Sequence, residues 1–319
     1  MVALFFPGQG SQELGMGKEL ADNFSVAQSV FEEVNNALDQ NLTAIMWGED
    51  KEALTATANA QPAIMAVSIA AFCVMESEFG PASEWHSTPT VVAGHSLGEY
   101  SAHVAANSMD LATAAKLLRI RGNAMQEAVG QGAGAMAAIL NVDMPTLEQI
   151  CSESVLGGGC CQIANDNAPG QIVISGDAAS INKAMASATA AGAKRCVLLP
   201  VSAPFHCDLM KPAQAVMAEA LAGAQIADAP VPVVCNIDAR AITSADDIRD
   251  ALVRQVTGRV RWVESIQAIV AQGQDQALEL GHGKVIAGLN RRIDKGLSTV
   301  SVGSLAAVEA AGALVQSGI

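Results

Sequence analysis

The apolar positions of this chain change their spacing at intervals, and each change marks an element. Ala3 to Phe6 is an unbroken apolar run, the pattern of a strand buried on both faces. FPGQGSQ at 6–12 follows as a turn built by Pro7, Gly8 and Gly10, and it presents Gln9 close to a strand end, where α/β sheets bind ligands. Residues 12–80 carry helical spacing. The last stretch, Gln61 to Phe79, is apolar nearly all round and so belongs at the centre of the core. Thr90 to Ala93 is again apolar and rich in β-branched residues, and Leu97, Tyr100, Val104 and Ala105 then recur at helical spacing. From Asp110, an N-cap, the residues Leu111, Ala115, Leu118, Gly122 and Met125 form one helical stripe. Arg119 and Arg121 flank it on opposite sides, so periodicity does not choose which of them faces a site.

Around Gly130 to Gly134 the texture becomes glycine-rich, and residues 135–199 then read β, α, β, β, α, β. The predicted strands are 135–140, 161–164, 171–175 and 195–199, with helices near 143–153 and 178–191. That order is the ferredoxin-like one. The earlier pattern resumes with Val231 to Cys235, helices near 245–257 and 262–272, Gln276 to Leu280, a helix from Lys284, and Thr299 to Val302. The expectation is an α/β chain whose large domain, residues 1–129 and 202–319, is interrupted by a small one at 130–201.

Composition narrows the class. Half of the 319 residues are hydrophobic, yet no apolar run reads as membrane-spanning and no basic leader precedes Ala3, which predicts a cytoplasmic protein. The seven cysteines form no C-x-x-C pair and four of them (Cys73, Cys151, Cys196 and Cys235) sit in apolar surroundings, as reduced core thiols do. A formal charge of −14 argues against nucleic acid or an anionic membrane as partner. Against that background Lys194 and Arg195, then Arg254, Arg259 and Arg261, then Lys284, Arg291, Arg292 and Lys295, stand out as local basic groupings. No Walker loop, G-x-G-x-x-G or metal-spaced His/Cys cluster occurs.

The candidate chemistry lies at 90–106, where Gly94, Ser96 and Gly98 spell G-x-S-x-G between strand and helix. This is the context of a nucleophile elbow, a sharp turn that lifts a serine hydroxyl to a helix N-terminus. There, backbone N–H groups can face an oxyanion. A serine nucleophile needs a base, and the histidines are His86, His95, His103, His206 and His282. His206 is the best placed. It lies in VSAPFHC, where Pro204 rules out a central strand, and it follows the serine in chain order as in α/β-hydrolase-like sites. His95, next to the serine, is expected to support the elbow.

FPGQGSQ at 6–12, GHSLGEYSA at 94–102, RIRGNAMQ at 119–126, NDNAPGQIVISG at 165–176, VSAPFH at 201–206 and Gln255 followed by VRW at 260–262 together resemble the malonyl-CoA:acyl carrier protein transacylase family. The resemblance runs nearly the whole chain. It implies an α/β-hydrolase-like large domain with a parallel central sheet and a ferredoxin-like subdomain, the site lying between them. It further implies Ser96 as nucleophile, His206 as base, and an oxyanion hole from the N–H groups of Leu97 and Gln9. A carbonyl oxygen near Gln255 would orient the histidine where hydrolases use a carboxylate. Arg121, rather than Arg119, would hold the malonyl carboxylate, and Phe205, Asn165 and His95 would line the substrate site. A guanidinium grips a carboxylate bidentately, which selects a dicarboxylic acyl group. Malonyl-CoA and an acyl carrier protein are then the partners, with no metal or other cofactor, and the protein is expected to act as a monomer. The carrier would dock on a rim of Lys194, Arg195, Lys284, Arg291 and Arg292. Two positions depart from the family pattern, Arg259 and His282, each standing where a proline is usual.

Overall fold

The computed structural model describes residues 2–85, 89–130 and 132–317, and His86 lies outside the described residues. Its strands are β1 (Val2–Phe6), β2 (Pro89–Gly94), β3 (Gly134–Leu140), β4 (Cys161–Ala168), β5 (Gln171–Asp177), β6 (Arg195–Leu198), β7 (Val233–Val234), β8 (Ala241–Ile242), β9 (Gln276–Leu280) and β10 (Ser298–Val302). They form two sheets. One is six-stranded, in the order β10-β9-β1-β2-β7-β8, with β10 through β7 mutually parallel and β8 antiparallel at the edge. The other is a four-stranded antiparallel sheet in the order β4-β5-β3-β6.

The unbroken apolar run of β1 has the physical reason expected of it. Leu4 and Phe6 enter one core cluster and Ala3 and Phe5 enter another, so both faces of the sheet are covered. On the first face lies the helix Thr57–Phe79, against which Ser25–Leu38 and Leu111–Glu127 pack. Contrary to the expectation from apolar runs, this helix is long and apolar enough to cross a membrane by length and composition. However, 83% of its apolar window is buried inside the protein, which makes it a core helix.

In the small sheet the side chains alternate cleanly. Ala135, Ala137 and Ile139 of β3 face a core shared with the helices Met144–Ser154 and Ala178–Ala190. Met136 and Ala138 face the larger body instead. β4 runs to Ala168, beyond the predicted 164, because register shifts at Ile163/Asn165 and Asp166/Ala168 break the period-2 pattern that the sequence would otherwise display. That same stretch joins the two parts of the molecule. Val260 donates its N–H to Ala164 O at 2.8 Å and accepts from Asp166 N at 2.9 Å, adding an isolated parallel bridge to the outer edge of the small sheet.

Candidate active site

Ser96 stands just past the end of β2, before the helix Gly98–Ala105, with φ of 52°, a left-handed conformation that costs a non-glycine residue roughly 1–3 kcal/mol. The flanking glycines make the turn sterically feasible. A Cβ on Gly94 would lie 1.9 Å from the carbonyl carbon of Gly98, and one on Gly98 would lie 2.3 Å from Phe6 O. Asn236, two residues past β7, braces the bend by accepting from Ser96 N at 2.6 Å and donating to Gly94 O at 2.7 Å. The serine's own N–H is thereby occupied. The N–H groups of Leu97 and Gln9 have no hydrogen-bond partner among the described residues.

His206 arrives on the loop after β6, also at positive φ, 58°. Its Nε2 is 2.8 Å from Ser96 Oγ, and its Nδ1 is 3.0 Å from Gln255 O and 3.1 Å from Gly258 O. Two carbonyls can only accept, so Nδ1 carries the proton and Nε2 is the acceptor for the serine hydroxyl. The imidazole is 3% exposed. Burial, reinforced by the Arg121 charge and only partly offset by the two carbonyls, pushes its pKa down to about 3. It is therefore neutral, in the state a base requires.

Arg121 resolves the ambiguity of the helical stripe. It points inward from Leu111–Glu127 and is 1% exposed, whereas Arg119 is half-buried and donates to Gln40. Its Nη1 donates to Gln61 Oε1 at 2.8 Å and its Nη2 to both Gln255 Oε1 at 2.9 Å and Ser96 Oγ at 3.2 Å. Burial lowers the pKa of this guanidinium, with Tyr100 and Glu99 opposing the shift. Guanidinium, hydroxyl and imidazole thus meet at one oxygen. They open on a cavity of about 240 Å³ between the two sheets, whose walls include Gln9, His95, Asn165, Phe205, Met136 and Val173.

The remaining expected residues fall as follows. Phe205 and Asn165 border the cavity, each 7% exposed. His95 Nε2 lies 2.7 Å from Asn167 Oδ1 and its ring sits 5.4 Å from that of Trp262, fixing it beside the elbow. Gln255 meets His206 through its backbone oxygen, while its side chain turns elsewhere: Nε2 donates to Ser96 O at 3.0 Å and to Glu99 Oε2 at 2.8 Å. Gly258, Asn236, Glu99 and Gln61 were not foreseen. Gln61 carried a signal, as a polar residue in a helix otherwise apolar all round. Gly258 acts through a backbone atom and Asn236 from a loop, which leave no periodicity, and Glu99 is one acidic residue in the first turn of a helix, where an acidic residue is ordinary. Of the two departures, Arg259 pairs with Glu148 of the small sheet's helix at 3.2 Å and His282 meets Glu13 at 3.1 Å.

Residues 4–308 match the family model described as an acyl transferase domain. The chain belongs to the acyl transferase family. It is similar to the malonyl CoA-acyl carrier protein transacylase of Bacillus subtilis strain 168, 43% identical over 310 residues, 97% of this chain and 96% of the relative. Among solved structures it resembles the acyl-carrier-protein S-malonyltransferase of Bartonella henselae at 48% identity and a TM-score of 0.95, with 100% of both chains covered. A second solved relative, 41% identical with a TM-score of 0.93 over 97% of this chain and 98% of that one, is a malonyl-transacylase in complex with a type II PKS acyl-carrier protein. The protein is thus an acyltransferase.

The five basic residues expected to form a rim are exposed: Arg291 and Arg292 lie in the last turn of the helix Val285–Ile293, Lys284 directly precedes it, and Lys194 and Arg195 share a groove with Arg292. Lys284, Arg291 and Lys295 edge one groove, while Lys194, Arg195 and Arg292 edge another, which reaches Leu199 on the cavity wall.

Proposed function

We propose that this acyltransferase moves a malonyl group from malonyl-CoA to the phosphopantetheine thiol of an acyl carrier protein, through an acyl-serine intermediate, and so supplies fatty acid synthesis. The observation that carries the reading is the convergence on Ser96 Oγ of His206 Nε2 at 2.8 Å and Arg121 Nη2 at 3.2 Å. In the first half-reaction Ser96 Oγ attacks the thioester carbonyl as its proton passes to His206 Nε2. The tetrahedral oxyanion is held by the N–H groups of Leu97 and Gln9. Collapse breaks the C–S bond, and the imidazolium returns the proton to the departing CoA sulfur. In the second half the carrier thiol gives its proton to His206, its sulfur attacks the serine ester, and the proton ends on Ser96 Oγ. Arg121 takes the malonyl carboxylate throughout.

The carbonyls on Nδ1 are neutral acceptors and stabilise imidazolium less than a carboxylate would. The resulting weak base favours a thiol, intrinsically the better nucleophile, over water. Phe205 narrows the cavity against a methyl branch at the acyl α-carbon. Architecturally, the reading is an α/β-hydrolase-like large domain, residues 1–129 and 202–319, with a ferredoxin-like subdomain at 130–201. The β-α-β-β-α-β order and the β4-β5-β3-β6 sheet support the latter. The protein acts as a cytoplasmic monomer without metal or redox cofactor, and the carrier docks on the basic grooves. The test is intact mass after mixing with malonyl-CoA. Wild type should gain one malonyl group that a carrier thiol removes, and Ser96→Ala should gain none. Rapid release of malonate without transfer would identify a hydrolase instead.

A further inference from the structure

Behind the nucleophile lies a carboxylate that the proposed mechanism does not use. Glu99, on the first turn of the helix Gly98–Ala105, is fully buried. Its Oε2 accepts from Asn236 N at 2.9 Å and from Gln255 Nε2 at 2.8 Å, and its Oε1 has no partner among the described residues. A buried carboxylate left half unsatisfied is expensive, and such groups in native proteins call for an explanation. Burial pushes its pKa up to about 7, against the pull of Gln255, Asn236 and Arg121.

The explanation lies in what Gln255 does with its other end. A glutamine amide presents the same shape when flipped, and only its partners decide which end is oxygen. Here Glu99 Oε2 and Ser96 O are both acceptors, so they require the NH2 at their side, which turns Oε1 to Arg121 Nη2 at 2.9 Å. With the amide reversed, two donors would confront each other at the arginine and three acceptors would meet at Glu99. Resting on the transferase reading above, we infer that Glu99 is a positioning residue for acyl-group selection. It locks the Gln255 side chain in the one orientation that holds the Arg121 guanidinium where a malonyl carboxylate can reach it.

A purely structural role for Glu99 would weaken all acyl transfers alike, whereas positioning through Arg121 touches only acyl groups that bear a carboxylate. The experiment measures serine acylation from malonyl-CoA and from acetyl-CoA in wild type, Glu99→Ala, Glu99→Gln and Gln255→Leu. Gln255→Leu keeps the backbone carbonyl on His206 and carries the test if Glu99→Ala does not fold. Loss of a hydrogen bond to a charged group predicts that Glu99→Ala lowers kcat/KM for malonyl-CoA by about tenfold or more, through KM, with acetyl-CoA changed by less than about twofold, and that Gln255→Leu lowers the malonyl-to-acetyl ratio by a similar factor. Glu99→Gln keeps an oxygen at the shared acceptor position and should retain the wild-type malonyl-to-acetyl ratio. Equal losses for both acyl groups, or a Glu99→Gln enzyme as unselective as Glu99→Ala, would overturn the inference while leaving the transferase intact. Wild type that takes no malonyl group on Ser96 would overturn the transferase reading itself.

Discussion

The two sheets divide the labour unequally. The six-stranded sheet is buried on both faces and offers chemistry only at its strand ends: Gln9 after β1, Ser96 after β2 and Asn236 after β7. The four-stranded sheet buries one face against two helices and lends the other, with Met136 and Val173, as a wall of the cavity. A parallel sheet sandwiched by helices holds its strand ends in fixed relation, which suits groups that must meet within a hydrogen bond's tolerance. An open antiparallel face suits shape selection, since each outward side chain can change without disturbing the core beneath it. Reaction and the fit of the acyl group against this wall should therefore be separable by mutation.

The comparison breaks most visibly at the proposed base. His206→Ala should lower kcat/KM for malonyl transfer by about 10²–10⁴-fold in stopped-flow acylation, and a comparable loss from Met136→Ala would erase the distinction. Next is the elbow. Gly94→Ala forces a Cβ to within 1.9 Å of the Gly98 backbone, and denaturant unfolding should register a loss of about 3 kcal/mol or more. Selection comes third. Phe205→Ala should raise methylmalonyl transfer relative to malonyl by about 1–3 kcal/mol equivalent, in competition assays with both thioesters. Comparable turnover of both by wild type would refute the part given to Phe205.

Acid stability sharpens the contrast between the buried large body and its surroundings. His103 and His206 both have pKa values pushed down to about 3 by burial, from an ordinary 6.5. Below pH 6.5 the unfolded chain binds protons that the folded chain refuses, so stability falls as pH drops, by about 1.4 kcal/mol per pH unit for each imidazole until its folded pKa is reached. Glu99 works the other way. Its folded pKa of about 7 exceeds the ordinary 4.5, so protonation favours the folded state as pH falls through that interval. The steepest contribution of this trio should lie below pH 4.5, and His103→Gln should flatten the urea midpoint's pH dependence by one imidazole's share. The smallest effect is expected at the rim. Reversing charge at Lys284 and Arg291 should raise KM for carrier protein a few-fold, about 1 kcal/mol or less at physiological salt, and leave acylation by malonyl-CoA unchanged.

Much of this was legible in the residues because the responsible physics is local. The elbow needs glycine on both sides of Ser96, and the alternation of β3 and the unbroken run of β1 each state how many faces are covered. His206 was betrayed by Pro204 and by order along the chain. What stayed hidden was tertiary. Arg119 and Arg121 are equally helical, and only the packing of Leu111–Glu127 against Thr57–Phe79 sends Arg121 to Gln61 and Ser96. Gly258 contributes a backbone oxygen, which no side-chain pattern advertises. The bulges in β4 likewise erased the signal of its second half.

The helix Thr57–Phe79 leaves the ribosome after its partner Ser25–Leu38 but before the other segments that enclose it. Its partner Leu111–Glu127 follows within about 50 residues, but β9 and the C-terminal helix Leu305–Ser317, which also lie against it, come more than 190 residues later. At ordinary elongation rates that interval is on the order of ten seconds or more. For that time the helix has Ser25–Leu38 and Leu111–Glu127 to bury against but not β9 or Leu305–Ser317, so its apolar cover is completed only when the last segments of the chain arrive.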